Sequence, residues 1–260
     1  MKNFYFTAGW KMNLGVIESI DYAKKLKEYV SSIPDFNKNL KLIIFTDPLS
    51  LYSVSEVFGN SPIEIGSPDL FWEDSGAYTG EISPFFLKKI GCNYVLIGHP
   101  ERLINLKEDS QMVNRKIKAA LRNNIKPFLV ITEKRNSSRE KIISQVRNDT
   151  LRFIDGLKTE EILKIIIIYE PLWAINTTES ASADYITDMV SEFRMFLNKE
   201  FGSELGSNIC ISYGGGVNIK NFKHILEVTV LDGIGIGKAS LDFLFFTTCI
   251  DMVNDKLNNR

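Results

Sequence analysis

Three side chains that could transfer a proton or stabilise charge each follow a short apolar run of the sequence. Lys11, His99 and Glu170 come at or just beyond the ends of these runs. A carboxylate can serve as a general base, an imidazole can exchange a proton near neutral pH, and a lysine supplies a positive charge. Each residue alone is weak evidence, because lysine and glutamate are usually solvated and a lone histidine is more often structural. The second histidine, His224, lies in an apparent amphipathic helix and is expected at the surface.

The segment after Glu170 has the composition of a lid. Pro171 restricts the backbone directly after the carboxylate, and the following Leu172-Trp173-Ala174-Ile175 is unusually apolar for a loop. Apolar loops suit a segment that closes over a site and excludes water. A glutamate that caps a helix or forms a salt bridge is the alternative interpretation. We favour a catalytic base beside its lid.

Two glycine-rich segments follow apolar runs near the end of the chain. They are Gly214-Gly215-Gly216 and Gly235 to Gly237, and Lys238 follows the second. Glycines could simply relieve crowding where strands converge. Glycine-rich loops also let backbone N–H groups approach an anion, and a lysine beside them adds a point charge. The pattern therefore predicts a phosphorylated ligand.

Eight short apolar runs, rich in β-branched and aromatic residues, predict eight strands. Most of the runs lack alternation of polar and apolar residues, which is typical of parallel strands buried on both faces. The eight runs are Phe4 to Ala8, Leu40 to Thr46, Ile63 to Gly66, Tyr94 to Gly98, Pro127 to Ile131, Ile165 to Tyr169, Ile209 to Tyr213 and Leu231 to Ile236.

Segments with helical periodicity lie between the predicted strands, and the alternation extends over about 250 residues. This is the size and pattern of a closed (β/α)8 TIM barrel, which we expect to form a single domain over residues 1–260. An open doubly wound sheet is the alternative. Its usual glycine-rich turn is missing after the first strand, where the chain reads Gly9 to Asn13. In a barrel, the active face lies at the carboxyl ends of the strands, where Lys11, His99 and Glu170 are expected.

Composition excludes several classes of protein. With 31 basic and 32 acidic side chains the net charge is −1, so the chain lacks the positive charge on which non-specific nucleic-acid binding depends. No apolar run is long enough to span a membrane, and the short amino-terminal run is too brief for a signal peptide. The three cysteines, Cys92, Cys210 and Cys249, have no metal-binding or redox spacing. We expect a cytoplasmic protein that binds neither nucleic acid, membrane nor metal.

Six short motifs, in order from the first strand to the last, resemble the triosephosphate isomerase family. Any one of them would be weak, but together they are specific. They are Gly9-Trp10-Lys11-Met12-Asn13, Gly76-Ala77-Tyr78-Thr79-Gly80-Glu81, Gly98-His99-Pro100-Glu101-Arg102, Tyr169-Glu170-Pro171-Leu172-Trp173-Ala174-Ile175, Tyr213-Gly214-Gly215-Gly216-Val217 and Gly237-Lys238-Ala239-Ser240-Leu241.

The resemblance implies a TIM barrel that interconverts dihydroxyacetone phosphate and glyceraldehyde 3-phosphate, without a cofactor, through an enediol(ate). Glu170 would be the base that shuttles a proton between adjacent carbons. The neutral imidazole of His99 would polarise the carbonyl group, and Lys11 would offset negative charge on oxygen. Glu101 would be an interior partner that orients these groups.

The resemblance also implies a moving lid and a homodimer. The first hinge would be Pro171 to Trp173, and Asn176 to Ser180, with Thr177 and Thr178, would form the tip and second hinge. Residues 171–180 are called the lid below. The segment Leu70 to Glu81 resembles a long loop that inserts into a second subunit.

Four positions depart from the family pattern in or near the expected substrate pocket. Gly9 stands where asparagine is usual, Asn176 where the lid has glycine, Gly216 where serine is usual, and Lys238 where a second glycine is usual. The first change removes a side-chain donor, which also leaves Thr79 without its usual partner. The other three alter the expected phosphate site. All four are retained as candidate ligand-binding positions, together with Gly237.

These departures keep two alternatives open. A tetrulose-phosphate isomerase branch of the same family, which acts on erythrulose phosphates, also lacks the asparagine and has a basic residue after the last strand's glycine. The lid here has the ordinary triosephosphate isomerase length, which favours a triose. The second alternative is a barrel that binds a sugar phosphate or a protein partner without catalysis. The joint presence of Lys11, His99 and Glu170 argues against it, because binding alone needs no positioned base.

Overall fold

The structure, a computed structural model, describes residues 2–133, 138–175, 177–202 and 204–259. Over these ranges eight parallel strands pair in chain order, and the last pairs with the first to close a barrel. The strands are β1 Phe4–Gly9, β2 Leu40–Phe45, β3 Ile63–Ser67, β4 Tyr94–Ile97, β5 Lys126–Ile131, β6 Ile166–Tyr169, β7 Cys210–Tyr213 and β8 Gly233–Ile236. The predicted (β/α)8 TIM barrel is confirmed.

Helices occupy the connections between the strands. In the described part of the chain they are α1 Val16–Ser31, α2 Leu51–Phe58, α3 Pro84–Lys89, α4 Pro100–Asn105, α5 Ser110–Arg122, α6 Arg139–Phe153, α7 Thr159–Ile162, α8 Ala183–Phe201, α9 Leu205–Asn208, α10 Phe222–Leu226 and α11 Phe243–Asn258. Three short 3-10 turns, Lys11–Asn13, Leu172–Ala174 and Lys238–Leu241, follow the carboxyl ends of β1, β6 and β8. No helix among the described residues is long and apolar enough to cross a membrane.

Two apolar layers explain why the strand sequences lack polar alternation. In β6, Ile166 and Ile168 belong to a buried cluster with the aromatic rings of Tyr5 and Phe128. Their neighbour Ile167 belongs to the larger cluster between the strands and the surrounding helices. Because successive side chains of a strand point to opposite faces, both faces of β6 are buried.

Side-chain caps fix where several helices begin. The side chain of Asp109 accepts a hydrogen bond from the Met112 N–H at the start of α5, and the Ser182 hydroxyl accepts one from the Tyr185 N–H at the start of α8. Each cap satisfies a backbone donor that the first turn would otherwise leave unpaired. Ser182 comes two residues after the end of the lid, so its cap fixes where the helix that follows the lid begins.

Candidate active site

His99 follows β4 and caps the amino terminus of α4. Its Nδ1 accepts a hydrogen bond of 3.2 Å from the Glu101 backbone N–H. In a neutral imidazole one nitrogen accepts and the other carries the proton. The backbone donor therefore assigns the proton to Nε2 and makes that atom a hydrogen-bond donor.

The surroundings of His99 favour its neutral form. Only 6% of the residue is exposed. Burial, reinforced by the positive charge of Lys11, lowers the pKa of His99 from 6.5 to about 4. Protonation would also abolish the acceptor at Nδ1. The imidazole is thus a neutral donor throughout the physiological pH range.

Glu170 lies directly after β6 and faces His99. Its backbone N–H continues the sheet by donating to the Ile131 carbonyl at 2.9 Å, which fixes the position of the main chain. Its Oε2 is 3.7 Å from Nε2 of His99, and 16% of the side chain remains exposed. Burial raises the pKa of Glu170 from 4.5 to about 7, although the charge of Lys11 opposes the shift. A carboxylate with this pKa is a competent general base near neutral pH.

Lys11 and Glu101 form an ion pair between the turn after β1 and helix α4. The Lys11 Nζ is 2.7 Å from Glu101 Oε1, and the other carboxylate oxygen, Oε2, is 3.6 Å from Nδ1 of His99. Lys11 has a left-handed backbone with φ of 52°, a conformation that costs energy for a residue with a side chain. The ion pair and the strained turn together hold the ammonium group in the site.

A cleft with a volume of about 600 Å³ opens beside these groups. Seven of the residues predicted from the sequence line it, and they are Lys11, Glu170, Thr177, Thr178, Gly216, Gly237 and Lys238. Asn13, Ile175 and Asn218 also line the cleft. Among the other predicted positions, His99 lies against Glu170, while Asn176 is outside the described residues.

Gly9 ends β1 two residues before Lys11. A Cβ atom built at Gly9 has no neighbouring atom within 4 Å. The immediate surroundings of Gly9 therefore leave room for the first atom of a side chain, and they do not require glycine at this position. Gly9 is not among the residues that line the cleft.

The lid hinge is tied to a buried carboxylate that the sequence interpretation missed. Glu133, only 1% exposed, accepts hydrogen bonds from the Trp173 indole at 3.0 Å, the Tyr169 hydroxyl at 2.6 Å and the Tyr185 hydroxyl at 2.7 Å. The Leu172 N–H also donates to the Glu133 carbonyl. These four donors come from β6, the lid and helix α8, so Glu133 links the base to its lid. It follows β5 by two residues, and the strand-end rule could have identified it.

Four charged side chains form a group that contacts α4, and three of them, Asp69, Glu108 and Lys116, are buried while Arg102 is partly exposed. Lys116 Nζ contacts Asp69 Oδ1 at 2.7 Å and Glu108 Oε1 at 2.5 Å. Arg102 reaches the same two carboxylates at 2.7 and 2.6 Å. Pairs of this kind are costly to break from one side, because the remaining charge stays buried. The group fixes helix α4, which carries Glu101, against the start of the segment at residues 70–81.

Among the described residues, no group of three or more histidine, cysteine, aspartate or glutamate side chains could hold a metal ion.

Comparison with known proteins identifies the family. The triosephosphate isomerase family model matches residues 4–253. The chain belongs to the triosephosphate isomerase family. Curated relatives named triosephosphate isomerase include those of Dictyoglomus turgidum, 34% identical over 93% of this chain and 96% of its own length, and Finegoldia magna, 35% identical over 96% and 99%. The relative from Dehalococcoides mccartyi is 37% identical over 93% of this chain and 92% of its own length.

Two of the departures from the triosephosphate isomerase family pattern share the wall of one cleft. Gly216 and Lys238 both line it, on the loops after β7 and β8. Gly216 is left-handed, with φ of 63°, and a Cβ atom there would overlap the carbonyl oxygen of Glu179 in the lid. The position of the lid backbone therefore requires glycine at position 216, and the serine that is usual in the family would not fit there.

Proposed function

We propose that this chain is a triosephosphate isomerase that interconverts dihydroxyacetone phosphate and glyceraldehyde 3-phosphate without a cofactor. The observation that carries the proposal is the 3.7 Å separation between the Glu170 carboxylate and the donor nitrogen of His99, beside a cleft that contains Lys11. A base and an electrophile at this separation can contact adjacent atoms of one small ketone.

The reaction needs one proton to leave carbon and return to the neighbouring carbon. Glu170 removes the proton from C1 of the ketone, and the electron pair of that C–H bond forms the double bond of the enediol(ate). His99 donates a hydrogen bond from Nε2 to the carbonyl oxygen as negative charge develops there, and Lys11 stabilises the same charge electrostatically. Protonated Glu170 then returns the proton to C2, which yields the aldehyde. The hydroxyl proton transfers complete the isomerisation without net loss of an atom.

The phosphate end of the substrate is assigned to the opposite part of the cleft. Gly216, Gly237 and Lys238 lie on the loops after β7 and β8, and Thr177 and Thr178 of the lid complete this wall. The Lys238 ammonium group offers a point charge to the phosphate dianion. Asn176 lies outside the described residues, and its part in phosphate binding stays a sequence prediction. Residues 1–260 would act as one domain.

Isotope exchange tests this function directly. Purified protein is mixed with dihydroxyacetone phosphate in deuterated water, and carbon-bound deuterium is followed by NMR. We expect deuterium at C1 of the recovered ketone and at C2 of the aldehyde. A complete lack of exchange would contradict the proposed isomerase and would favour a barrel that only binds sugar phosphates or a partner.

The open space at Gly9 favours one second candidate, a four-carbon tetrulose phosphate. A hydroxymethyl group beyond the triose skeleton could occupy the room that the absent asparagine leaves. The same exchange experiment with L-erythrulose 1-phosphate compares the two substrates. We expect the triose to have the higher kcat/KM, and a reversed ratio would assign the tetrulose. Gly9→Asn is the matched variant, since it should reduce exchange only of the larger substrate if this space binds it.

Activity should fall on the acid side of neutrality. Glu170 must be ionised to act, so kcat/KM should decrease about tenfold per pH unit below a pKa of about 7. His99 should contribute a second decrease only near pH 4. The measurement is kcat/KM between pH 4.5 and 9, with the binding of inorganic phosphate measured in parallel because phosphate monoesters titrate near pH 6. An acid limb centred at 4.5, the ordinary glutamate value, would contradict this environment for Glu170.

We also propose a homodimer through the segment Leu70 to Glu81. Tyr78 of this segment lines an open groove of about 390 Å³ together with Tyr52 and Phe86, and all three are substantially exposed. Met12, next to Lys11, is 96% exposed. A large apolar surface of this kind is typical of a protein interface.

Light scattering should give twice the mass of one 260-residue chain. Tyr78→Glu should shift the protein toward the monomer, because it buries a charge in the interface. Met195→Glu, an exposed apolar position on α8 outside the groove, is the matched control and should stay dimeric. A monomeric wild-type protein at micromolar concentration would refute the proposed assembly.

The odd, unpaired set of three cysteines supports a reducing compartment such as the cytoplasm.

A further inference from the structure

Asn218, on the loop after β7, has a side chain whose orientation is fixed by its own loop. Its Oδ1 accepts a hydrogen bond of 3.0 Å from the Lys220 N–H, and its backbone N–H donates to Asn221 Oδ1 at 2.8 Å. Since a backbone N–H can only donate, the contact with the Lys220 N–H identifies the oxygen of the Asn218 amide. The amide nitrogen of Asn218 must therefore face the other way.

That nitrogen joins the loop to the lid. The Asn218 Nδ2 donates to the Gly216 carbonyl at 2.7 Å and to the Thr178 carbonyl at 3.0 Å. Gly216 belongs to the same loop, whereas Thr178 lies in the lid, 40 residues earlier in the chain. One amide with two donor hydrogens thus bridges the fixed and the movable wall of the cleft.

A turn in the lid backbone places the Thr178 carbonyl beside this donor. Thr177 Oγ1 accepts a hydrogen bond of 3.1 Å from the Glu179 N–H, which turns the chain at Thr178. Beside this turn the Glu179 carbonyl lies directly over Gly216, where no side chain would fit. A hydrogen bond from position 216 to the lid by a side chain is therefore excluded in this conformation, and Asn218 supplies the donor from two residues away.

A second contact secures the far end of the lid. The Ala181 N–H donates to the Tyr213 hydroxyl at 2.9 Å, just before Ser182 caps α8. Tyr213 ends β7, so both contacts come from the same strand and loop. The Tyr213 contact lies just beyond the carboxyl end of the lid, and the Asn218 contact lies at its tip.

We propose that Asn218 is a positioning residue that holds the lid over the cleft through the Thr178 carbonyl. The proposal rests on the proposed isomerase function for its chemical consequence: an enediolate phosphate loses its phosphate if water reaches it, so a held lid suppresses elimination. The hydrogen bonds of Asn218 go to its own loop and to the lid, so its effect on the reaction is exerted through the lid.

The test compares two isosteric substitutions on the same loop. Asn218→Asp replaces the bridging donor by an oxygen that would face two carbonyl groups. Asn221→Asp is the matched control, because Asn221 also donates to the Gly216 carbonyl, at 2.8 Å, but forms no hydrogen bond to the lid residues that the structure describes, 171–175 and 177–180. Asn218→Ala repeats the test without an added charge, and circular dichroism checks that all three variants are folded.

The first measurement needs no substrate. Hydrogen exchange of the Glu179 and Ala181 amides is followed by NMR in the wild-type protein and the variants. Loss of one hydrogen bond and its replacement by repulsion should increase exchange at both amides about tenfold in Asn218→Asp and about threefold in Asn218→Ala. Asn221→Asp should keep the wild-type rates. Equal exchange in all four proteins, or equal increases in both aspartate variants, would overturn the proposal.

The second measurement follows the reaction. Asn218→Asp should raise KM and the amount of inorganic phosphate released per isomerisation several-fold, with a smaller change in kcat, while Asn221→Asp keeps the wild-type ratio. An unchanged ratio in Asn218→Asp would contradict the role in excluding water. If the wild-type protein does not isomerise the triose at all, the proposed function fails, and the exchange rates alone still decide whether Asn218 holds the lid.

Discussion

Replacing Glu170 with glutamine should lower kcat by about three orders of magnitude, within the range typical for loss of a general base. Glutamine has nearly the same shape, so the 3.7 Å contact with His99 can persist while the proton acceptor is lost. KM should change less than threefold, because the carboxylate acts mainly in the transition state. The measurement is a steady-state assay with the triose phosphate in both directions.

The shorter Glu170→Asp variant keeps the carboxylate but moves it, so it tests the position of the base separately from its presence. Its carboxylate is withdrawn by roughly one bond length, and a displacement of about 1 Å can cost a hundredfold in rate. We therefore expect it to be intermediate between wild type and glutamine. Glu227→Gln, which changes an exposed glutamate on the outer surface, is the control. Retention of more than a tenth of the wild-type kcat by Glu170→Gln would mean that another group is the base.

Replacing His99 with alanine should lower kcat/KM by roughly two to three orders of magnitude, the usual loss for one donor aimed at a developing oxyanion. The variant removes the Nε2–H donor and also leaves the Glu101 N–H without its 3.2 Å acceptor. The control is His224→Ala on the exposed face of α10, which should match wild type. Comparable losses in the two histidine variants would contradict the assignment.

Nitrogen-15 NMR of the wild-type protein tests whether the His99 imidazole is neutral and which of its nitrogens carries the proton. With a pKa of about 4, His99 should keep the signals of a neutral imidazole with the proton on Nε2 at pH 6. His224, at the surface, supplies the comparison within the same spectrum. Signals of an imidazolium for His99 at pH 6 would overturn the proposed neutral electrophile.

The barrel could be predicted because its strands are buried on two faces. A segment such as Ile165 to Tyr169 has no polar position at all, and only a parallel sheet covered on both sides accommodates it. All eight predicted strands are present, with ends displaced by at most two residues. Short helices such as α7 and α9 were not predicted, because four residues make about one turn and carry no periodic signal.

The candidate site was predictable in part, for a reason that also explains its gaps. The proximity of Lys11, His99 and Glu170 could be predicted because the carboxyl ends of parallel strands converge on one face of the barrel. Glu133 obeys the same rule, but it leads into the polar segment at residues 134–138 and reads as a solvated loop residue. Asn218 donates to the backbone carbonyl of Thr178, and every residue type has such a carbonyl, so the sequence could not identify this contact.

The charged group formed by Asp69, Arg102, Glu108 and Lys116 limits which mutations the protein can tolerate. Asp69 stands at the root of the segment that we assign to the subunit contact, and Arg102 belongs to the helix that presents Glu101 to the reacting groups. Loss of Asp69, Glu108 or Lys116, whose side chains are 3–8% exposed, would leave an unbalanced charge in the interior at a cost of about 3–5 kcal/mol. The proposed association and the proposed turnover would thus depend on the same group of charges. Mutations that alter either property would have to preserve this group or replace all of its members together.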